Sequence, residues 1–411
     1  MSNESHFDVL VVGGGASGYF TAITCAEANP ALRVGLLEGT RRSLTKVQIS
    51  GGGRCNVTHN CLDPNRLVQF YPRGGKELRQ VFSRFHVQHT IEWFESRGVA
   101  LKAEADGRMF SITNRSQTII DCLQKAAQDA QVQILYGQIV RQILPLEEGG
   151  FALTMQNEGT FQTKKLVLAT GSAPGGYELA TALGLTVVPP VPSLFTFQVD
   201  DPRIHERAGV SMPEVEATLS VGGKKFQQKG PILFTHWGLS GPCVLKLSAW
   251  AARELHEASY HAPLTVNWLP GMKEPQLKEL IMEQRQSARK KTLAQLCPFQ
   301  LPKRLWEYLL GGLDADTQWG SLPSAMEKIL IERLLRTVFP VCGKGVFKEE
   351  FVSCGGVDLR GIDFRTMETR AVKGLYVVGE LLNIDGVTGG FNFQNAWSTG
   401  WIAGQHLASL A

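Results

Sequence analysis

Three absences in the sequence narrow the class of protein. No two of the eight cysteines form a CxxC pair, and the closest two, Cys55 and Cys61, are six residues apart, so neither a zinc site nor a disulfide framework is expected. No apolar run reaches the roughly 18 residues that a membrane helix requires. Lysine and arginine number 42 against 38 acidic residues, an excess too small either to indicate or to exclude nucleic acid. We therefore expect a soluble protein without a metal, and a reducing cytoplasm is the simplest compartment.

The composition that is present is typical of a folded protein. The 411 residues are 43% hydrophobic and 19% charged, and glycine, with 43 residues, lies above its usual share of about 7%. At about 150 residues per domain, this length predicts two or three domains. Because the first apolar run begins at Phe7, no signal or transit peptide is expected.

The N-terminal segment has the pattern of a dinucleotide-binding unit. The apolar run 7–12 suits a buried parallel strand, and it leads into a glycine-rich turn, a helical stretch and a second strand that ends at Glu38. In this context the GxGxxG pattern predicts a turn that lets a pyrophosphate approach a helix N-terminus, and Glu38 is expected to accept hydrogen bonds from the adenosine ribose. The turn residues expected to contact the dinucleotide are Gly13, Gly15, Ala16, Ser17 and Gly18.

Three features favour FAD over NAD as the bound dinucleotide. The fingerprint lies near the N-terminus, a strand followed by Gly379 and Glu380 returns near the C-terminus, and a long excursion separates the two. In many flavoproteins a late acid contacts the ribitol, and Glu380 fits that role. Asn392 and Phe393 open a helix whose N-terminus would stabilise negative charge at the pyrimidine edge of reduced flavin. Since no second GxGxxG follows a strand, NADH or NADPH would have to visit the flavin face directly.

The order of predicted elements indicates a divided FAD domain with an insert. Short alternating runs from Val132 to Thr170 predict an antiparallel β-meander whose last strand returns to a parallel sheet. After a proline cluster at 189–192, short strands give way to helical stretches. We expect an FAD-binding domain over 1–190 and 345–411, with an inserted domain over 191–344.

The sharpest local signal for chemistry is the segment SGGGRCN. Its three glycines permit close backbone approach to a flat ligand, and Arg54 offers a permanent cation, which should lower the pKa of the Cys55 thiol. Two interpretations of Cys55 stay open: a small buried residue in a loop that clasps FAD, or a proton donor. The residues of this segment expected to contact FAD are Ser50, Gly51, Gly52, Arg54, Cys55 and Asn56.

Two further features also leave alternatives open. His236, between a predicted strand end and a Gly-Leu-Ser-Gly turn, could be a general acid near neutral pH or could cap the turn, and it is a weaker candidate than Cys55. The stretch 283–304 carries six basic residues against one acid, which would suit RNA phosphates, although a solvated helix surface is the commoner explanation. Those six residues are Arg285, Arg289, Lys290, Lys291, Lys303 and Arg304.

Several longer blocks resemble one known family. They are KVQISGGGRCNVT (46–58), LFTHWGLSGP (233–242), GGV (355–357), TMET (366–369) and GLYVVGELLNIDGVTGGFNFQNAW (374–397). They resemble a family of bacterial and plastid NAD(P)/FAD-dependent oxidoreductases, also labelled aminoacetone-oxidase-like, and the resemblance spans the whole chain. The short glycine-rich segment 171–177 is similar to that of the cyanobacterial and plant-like subgroup.

The resemblance implies a fold and a set of cofactor contacts. The fold is α/β, a glutathione-reductase-like FAD domain with parallel sheet and β-meander, and an inserted domain with a β-barrel over 191–270 and a helical part over 271–344. The matching blocks add further expected FAD contacts. These are Gly39, Lys46, Thr170, Gly171, Gly389 and Gly390.

The resemblance also implies a reaction. One branch of the family reduces a carbon–carbon double bond in dehydrogenated bile acids, and another makes dihydrouridine in 23S ribosomal RNA. We therefore expect hydride transfer from flavin N5 to a polarised C=C bond, with NADH or NADPH as donor and an organic acceptor or ribosomal RNA as partner. An alternative from a different class is a non-catalytic flavin-binding redox sensor.

Overall fold

The computed structural model describes residues 6–157, 159–345 and 352–410. The chain divides into two compact units, the first comprising residues 1–191 and 352–411 and the second residues 192–351. The strands that precede the second unit are β1 (His6–Val12), β2 (Val34–Glu38), β3 (Thr58–His59), β4 (Leu101–Ala103), β5 (Arg108–Ser111), β6 (Gln133–Tyr136), β7 (Val140–Pro145), β8 (Phe151–Met155), β9 (Thr160–Leu168) and β10 (Val187–Ser193). The helices of this part are α1 (Ala16–Ala28), α2 (Thr45–Gly53), α3 (Pro64–Leu67), α4 (Gly75–Phe82), α5 (Val87–Glu95), α6 (Ser116–Asp129) and α7 (Pro174–Ala182).

The second unit mixes strands and helices, and the chain then returns to the first unit. The second unit contains β11 (Phe197–Val199), α8 (Pro202–His205), β12 (Ser211–Val221), β13 (Lys224–Thr235), β14 (Gly238–Ser240), α9 (Pro242–Trp250), α10 (Ala252–Glu257), β15 (Ala262–Asn267), α11 (Glu274–Ser287), α12 (Lys303–Leu310), α13 (Ser324–Arg336) and β16 (Thr337–Lys344). The returning elements are β17 (Val352–Val357), β18 (Ile362–Asp363), β19 (Glu368–Thr369), β20 (Leu375–Val377) and α14 (Phe391–Ser409).

A nine-stranded sheet forms the centre of the first unit. Its order is β18-β19-β20-β9-β1-β2-β6, and β7 and β8 extend it as an antiparallel meander joined to β9. The five strands β20, β9, β1, β2 and β6 run parallel. Val12, Leu168 and Val377 lie side by side at the carboxyl ends of β1, β9 and β20. Ligands of such sheets bind beyond these ends, so the predicted α/β dinucleotide fold is confirmed.

One strand departs from the predicted meander. Residues 133–136 form β6, which pairs in parallel with β2 and places Tyr136 opposite Glu38. The prediction that the meander begins at Val132 is therefore wrong, and it consists of β7, β8 and β9. The physical reason is that β6 is an edge strand with exposed ends, so its residues do not form the continuous apolar run of an interior parallel strand.

Helix α14 packs closely along α1. A Cβ added at Gly400 would lie 2.8 Å from the carbonyl oxygen of Ser17, and one added at Gly404 would lie 2.7 Å from Cβ of Thr24. Since the contacting positions increase together along both helices, the helices run parallel and their N-termini point the same way. The Gly400–Ser17 and Gly404–Thr24 contacts place the start of α14 eight and five residues before the start of α1, respectively. With a rise of about 1.5 Å per residue, the N-terminus of α14 therefore lies about 8–12 Å beyond that of α1 along the common direction.

The second unit contains the predicted barrel. It closes in the order β11-β14-β13-β12-β15-β16. Phe234, Trp268 and Phe339 pack edge to face in its core, with ring centroids 6.0–6.3 Å apart. The inserted β-barrel is therefore confirmed.

The predicted boundary between barrel and helices is wrong at its C-terminal side. The stretch 271–344 contains α11, α12 and α13, but residues 337–344 form β16, which closes the barrel between β11 and β15. Phe339 and Val341 are buried whereas Pro340 between them is exposed, an alternation of strand type. Proline also lacks the N–H that a continuing helix needs. The predicted boundary at 344/345 adjoins residues 346–351, which lie outside the described part of the chain.

We predict that Gly404→Ala destabilises the protein, because the added Cβ would lie 2.8 Å from the carbonyl oxygen of Thr21 in α1. Overpacking of this kind typically costs about 1–3 kcal/mol. The matched control is Gly175→Ala in α7, where an added Cβ meets nothing within 4 Å and alanine is favoured over glycine by about 0.5–1 kcal/mol. Thermal unfolding measures the effect. A Gly404→Ala midpoint equal to that of the wild type would contradict the close helix contact.

Candidate cofactor site

The glycine-rich turn leaves the start of α1 open to a ligand. Gly15 is the extended residue before the helix, no side chain caps it, and a Cβ added there would meet nothing within 4 Å. At Gly13, where φ is +115°, a Cβ would lie 2.5 Å from the carbonyl oxygen of Ala169. The turn is therefore pressed against the end of β9 while its outer side faces open space. The free N–H groups at this helix N-terminus suit a pyrophosphate.

The carboxylate of Glu38 is fixed at the end of β2. It accepts hydrogen bonds from the Gly14 N–H at 3.1 Å and from the Thr40 N–H at 2.8 Å, each on a different oxygen. A carboxylate offers about four acceptor positions, so two remain for ribose hydroxyls. Glu38 therefore keeps the acceptor capacity that its predicted role requires, and that role stays a prediction.

Neighbouring side chains extend this end of the site and were missed by the sequence analysis. The hydroxyls of Tyr19, Ser43 and Tyr136 lie 2.8–3.4 Å from one another. Ile139 is half exposed, and a Cβ added at Gly39 would lie 3.2 Å from it. Tyr136 and Ile139 lie beside the end of β2 because β6 pairs with β2. The sequence analysis missed them because it assigned residues 133–136 to the antiparallel meander.

The SGGGRCN segment forms the end of α2 with an irregular backbone. Gly51, Gly52 and Gly53 are exposed and have φ of +57°, +68° and +82°, a left-handed run that glycine permits. A Cβ added at Gly52 or Gly53 would meet nothing within 4 Å. The Oδ1 of Asn56 is buried without a partner among the described residues. An open glycine surface beside an unsatisfied amide oxygen is consistent with a ligand at this edge.

Arg54 and Cys55 point to different surroundings. The Arg54 guanidinium donates to Glu104 at 2.6 Å and lies 4.0 Å from the ring centroid of Phe110. Cys55 is 0% exposed, and burial raises the pKa of its thiol to about 12, partly offset by a hydrogen bond from Ser50. The expected lowering of this pKa by Arg54 is therefore wrong, because desolvation dominates and the guanidinium is committed to Glu104.

A second acid lies where three strand ends meet. Glu380 follows β20, its carboxylate accepts from Lys46 Nζ at 2.6 Å, and Lys46 also donates to Ser172 at 2.7 Å. A Cβ added at Gly171 would lie 3.8 Å from the same carboxylate. Thr170 Oγ1 is buried without a partner among the described residues. The structure thus brings together Lys46, Thr170, Gly171 and Glu380, all predicted cofactor contacts.

The loop that opens α14 is held by residues the sequence analysis missed. Asp385 is 0% exposed and forms a two-point ion pair with the Arg73 guanidinium. Tyr71 Oη donates to the Phe391 carbonyl at 2.6 Å. An aspartate inside an otherwise apolar stretch is the signal that could have revealed this pair, since a buried charge needs a partner.

Asn392 and Phe393 differ from the prediction in what their side chains do. The Asn392 amide donates to and accepts from the backbone of Gly386, at 3.0 and 2.8 Å. The Phe393 ring stacks on Trp397 with centroids 5.6 Å apart. The side chain of Asn392 is therefore committed to the loop, and a flavin contact here would come from the backbone N–H groups of the first turn of α14. Gly389 and Gly390, with φ of +131° and +93°, lead into that turn.

His236 and the basic stretch belong to the second unit. His236 is exposed and directly follows β13, and its side chain forms no hydrogen bond with a residue in the described ranges. Arg285 pairs with Glu327 at 2.6 Å, and Arg304 donates to the carbonyl oxygens of Glu206 and Ala208. By contrast, the exposed residues 289–291 follow the end of α11 and form no ion pair with a described residue.

The residues of the first unit fit FAD. Two helix N-termini point the same way and are offset by about 8–12 Å along their common direction, so one can face a pyrophosphate and the other the far end of an extended dinucleotide. Carboxylates at the ends of β2 and β20 can receive ribose and ribityl hydroxyls. The oxygens Asn56 Oδ1 and Thr170 Oγ1, both in segments predicted to contact the cofactor, are buried without a partner among the described residues. Within residues 6–157, 159–345 and 352–410, no cluster of three potential metal ligands occurs, and none of the helices has the length and apolar character to cross a membrane.

Comparisons with known proteins agree with this geometry. The sequence profile of the family described as "HI0933-like protein Rossmann domain" matches residues 7–406. The ribosomal RNA dihydrouridine synthase of Escherichia coli (strain K12) is 32% identical, over 98% of each chain. The 3-dehydro-bile acid delta(4,6)-reductase of Clostridium scindens is 28% identical, over 97% of this chain and 98% of the relative.

Solved structures share the fold at much lower identity. The 3-ketosteroid delta1-dehydrogenase of Sterolibacterium denitrificans aligns with a TM-score of 0.52 at 12% identity, over 99% of this chain and all of that chain. At this identity the likeness concerns the fold alone.

We predict that native Cys55 resists alkylation, because its neutral thiol is buried. Iodoacetamide at pH 8 should modify the partly exposed Cys61 but not Cys55, and both should react after denaturation; mass spectrometry of peptides measures this. Since burial raises the pKa of this thiol from its ordinary value of 9.0 to about 12, the folded state binds this proton more tightly. The stability it contributes is therefore complete below pH 9 and lost as pH rises towards 12. Equal native labelling of the two cysteines would contradict the burial of Cys55.

Proposed function

Since the chain belongs to the HI0933-like family and is an FAD-dependent oxidoreductase, we propose that it reduces a polarised carbon–carbon double bond of an acceptor with electrons from NADH or NADPH. The observation that carries this proposal is the 32% identity to a dihydrouridine synthase over 98% of both chains. A relative named as a delta(4,6)-reductase, at 28% identity, supports the same reaction class. Because the chain is an enzyme, a redox sensor without turnover no longer applies.

The first substrate class is a uridine in ribosomal RNA. Forming dihydrouridine adds a hydride and a proton across the C5=C6 bond, which the adjacent C4 carbonyl polarises. The exposed basic turn 289–291 supports this choice, since cationic side chains without acidic partners can contact RNA phosphates. A ribosomal RNA substrate also favours a cytoplasmic location.

The second substrate class is a small-molecule enone. The relative from Clostridium scindens, whose name specifies a bile acid derivative, aligns over 97% of this chain. The two classes share the chemistry at the reacting bond and differ in the surface they need. A small enone requires no basic turn, whereas an RNA does.

The residues of the chain divide the work of binding and charge stabilisation. When bound, FAD supplies the hydride. The α1 N-terminus and Glu38 would hold its pyrophosphate and adenosine ribose, Glu380 would hold its ribityl chain, and the α14 N–H groups would face its pyrimidine edge. Arg54, fixed by Glu104 and Phe110, presents a permanent cation beside the Gly51–Gly53 surface. It can stabilise the negative charge that develops on the acceptor carbonyl oxygen.

A proton must also reach the carbon next to the carbonyl. Burial of Cys55 keeps its thiol protonated but away from an acceptor, whereas the side chain of His236 is exposed. We propose His236 as the proton donor, which reverses the order of preference drawn from the sequence.

We predict that deleting the gene removes dihydrouridine from ribosomal RNA of the source organism. Each dihydrouridine is heavier than uridine by two hydrogen atoms, so mass spectrometry of nuclease fragments from wild-type and deletion strains measures the loss. A deletion strain complemented with the gene is the control. Unchanged dihydrouridine content would exclude the RNA substrate and leave the small-molecule enone.

We predict that His236→Ala and Cys55→Ala separate in the two half-reactions. A positioned acid contributes about 10²–10⁴ in rate, and it acts only when the acceptor receives hydride. In stopped-flow measurements, His236→Ala should reduce its flavin with NAD(P)H at the wild-type rate but transfer hydride to the acceptor about 10²–10⁴ times more slowly. Cys55→Ala should be close to wild type in both. If only Cys55→Ala slows hydride transfer to the acceptor, Cys55 and not His236 is the proton donor.

A further inference from the structure

The backbone of Glu380 is fixed by two helices. The residue lies in a single turn, Gly379–Leu381, that follows β20. Gly379 has φ of +70°, and a Cβ added there would lie 2.4 Å from Ser17 Oγ at the start of α1. The Gly379 N–H donates to Thr399 Oγ1 of α14 at 3.0 Å. This acid is therefore placed by the same two helices whose N-termini form the predicted ends of the cofactor site.

Both oxygens of the Glu380 carboxylate are engaged. One accepts from Lys46 Nζ at 2.6 Å, and the other from the Ser353 N–H at 3.3 Å. Lys46 lies in the first turn of α2, and its ammonium is held in turn by Ser172 Oγ at 2.7 Å. The side chain of Glu380 is 19% exposed and that of Lys46 is 55% exposed. The carboxylate is thus held in one orientation from two sides.

Stability does not account for this pair. An ion pair with one largely exposed partner contributes little to folding, because solvent screens the charges and a long side chain must be ordered. The surroundings of Glu380 are instead costly to arrange, since its charge lies near the buried hydroxyl of Tyr177. Desolvation, followed by the nearby Glu380 charge, raises the pKa of Tyr177 to about 12. These features indicate that the Glu380 carboxylate is retained to bind a ligand and not to stabilise the fold.

We propose that Lys46 is a positioning residue that orients and compensates the Glu380 carboxylate, so that the pair, rather than the acid alone, sets the affinity for FAD and the reduction potential of the bound flavin. The inference rests on the proposed FAD site but not on the identity of the acceptor. Reduction places negative charge on the flavin, and an uncompensated carboxylate nearby would oppose it. A unit charge roughly 10 Å away, at an effective dielectric constant of about 20, changes an equilibrium by about tenfold.

The test is a set of charge variants studied as holoenzymes without any acceptor. Lys46→Met should lower the equilibrium constant for flavin reduction by about tenfold, which is a fall of about 30 mV in the potential of a two-electron couple. The same variant should bind FAD more weakly. Glu380→Gln should shift the potential in the opposite direction. The double variant should return close to the wild-type potential, because both charges are then absent, and Lys46→Arg should retain it. Photometric titration against a reference dye measures the potential, and fluorescence titration measures FAD affinity.

Lys125→Met is the matched control, since Lys125 pairs with Asp129 on the exposed surface of α6 and should change neither quantity. A wild-type potential in Lys46→Met would overturn the proposal, as would a double variant that keeps the full shift of Lys46→Met. Because no acceptor is present, these outcomes leave the proposed reaction untouched. Conversely, if the variants show the expected potentials but the protein forms no dihydrouridine, the proposed reaction is contradicted and the proposal for Lys46 is not.

Discussion

The parallel contact between α1 and α14 determines where the rest of the candidate site lies. It depends on Gly400 and Gly404, because any larger side chain would collide with the backbone or side chains of α1. The contact makes two helix N-termini face the same way with an offset of about 8–12 Å along their common direction, one behind the pyrophosphate turn and one at the predicted flavin edge. It also locks Gly379 against Ser17, which sets the position of Glu380. Segments far apart in sequence thus become one elongated site.

Charge is distributed along that site according to burial. Asp385 is fully buried and is balanced at two points by Arg73, because an unpaired charge there would be prohibitively costly. Lys46 and Arg54, nearer to solvent, are each paired with a single carboxylate, Glu380 and Glu104 respectively. The buried pair therefore serves to hold the loop before α14, and the exposed cations are the ones able to respond to a ligand.

The sequence predicted those parts of the site that depend on local pattern. The glycine turn, Glu38 and Glu380 each follow an apolar strand, and strand ends of a parallel sheet meet at one edge. Predictions failed where long-range pairing decides the outcome. Nothing local marks β6 as the partner of β2, and nothing local directs Arg54 to Glu104 so that burial controls the pKa of Cys55. Residues 337–344 were likewise predicted as part of the helical stretch, because nothing local shows that they form β16 and close the barrel.

The central claim is that the first unit binds both ends of a dinucleotide. The most direct measurement compares its affinity for FAD with its affinity for FMN. FMN has the flavin and ribityl phosphate but lacks the adenosine half that the α1 turn and Glu38 would hold. Titration calorimetry of the flavin-free protein should show FAD binding at least about 100-fold more tightly, a difference of about 2.7 kcal/mol. Equal affinities for the two flavins would contradict the account, because they would mean that the glycine turn and Glu38 contribute nothing to cofactor binding.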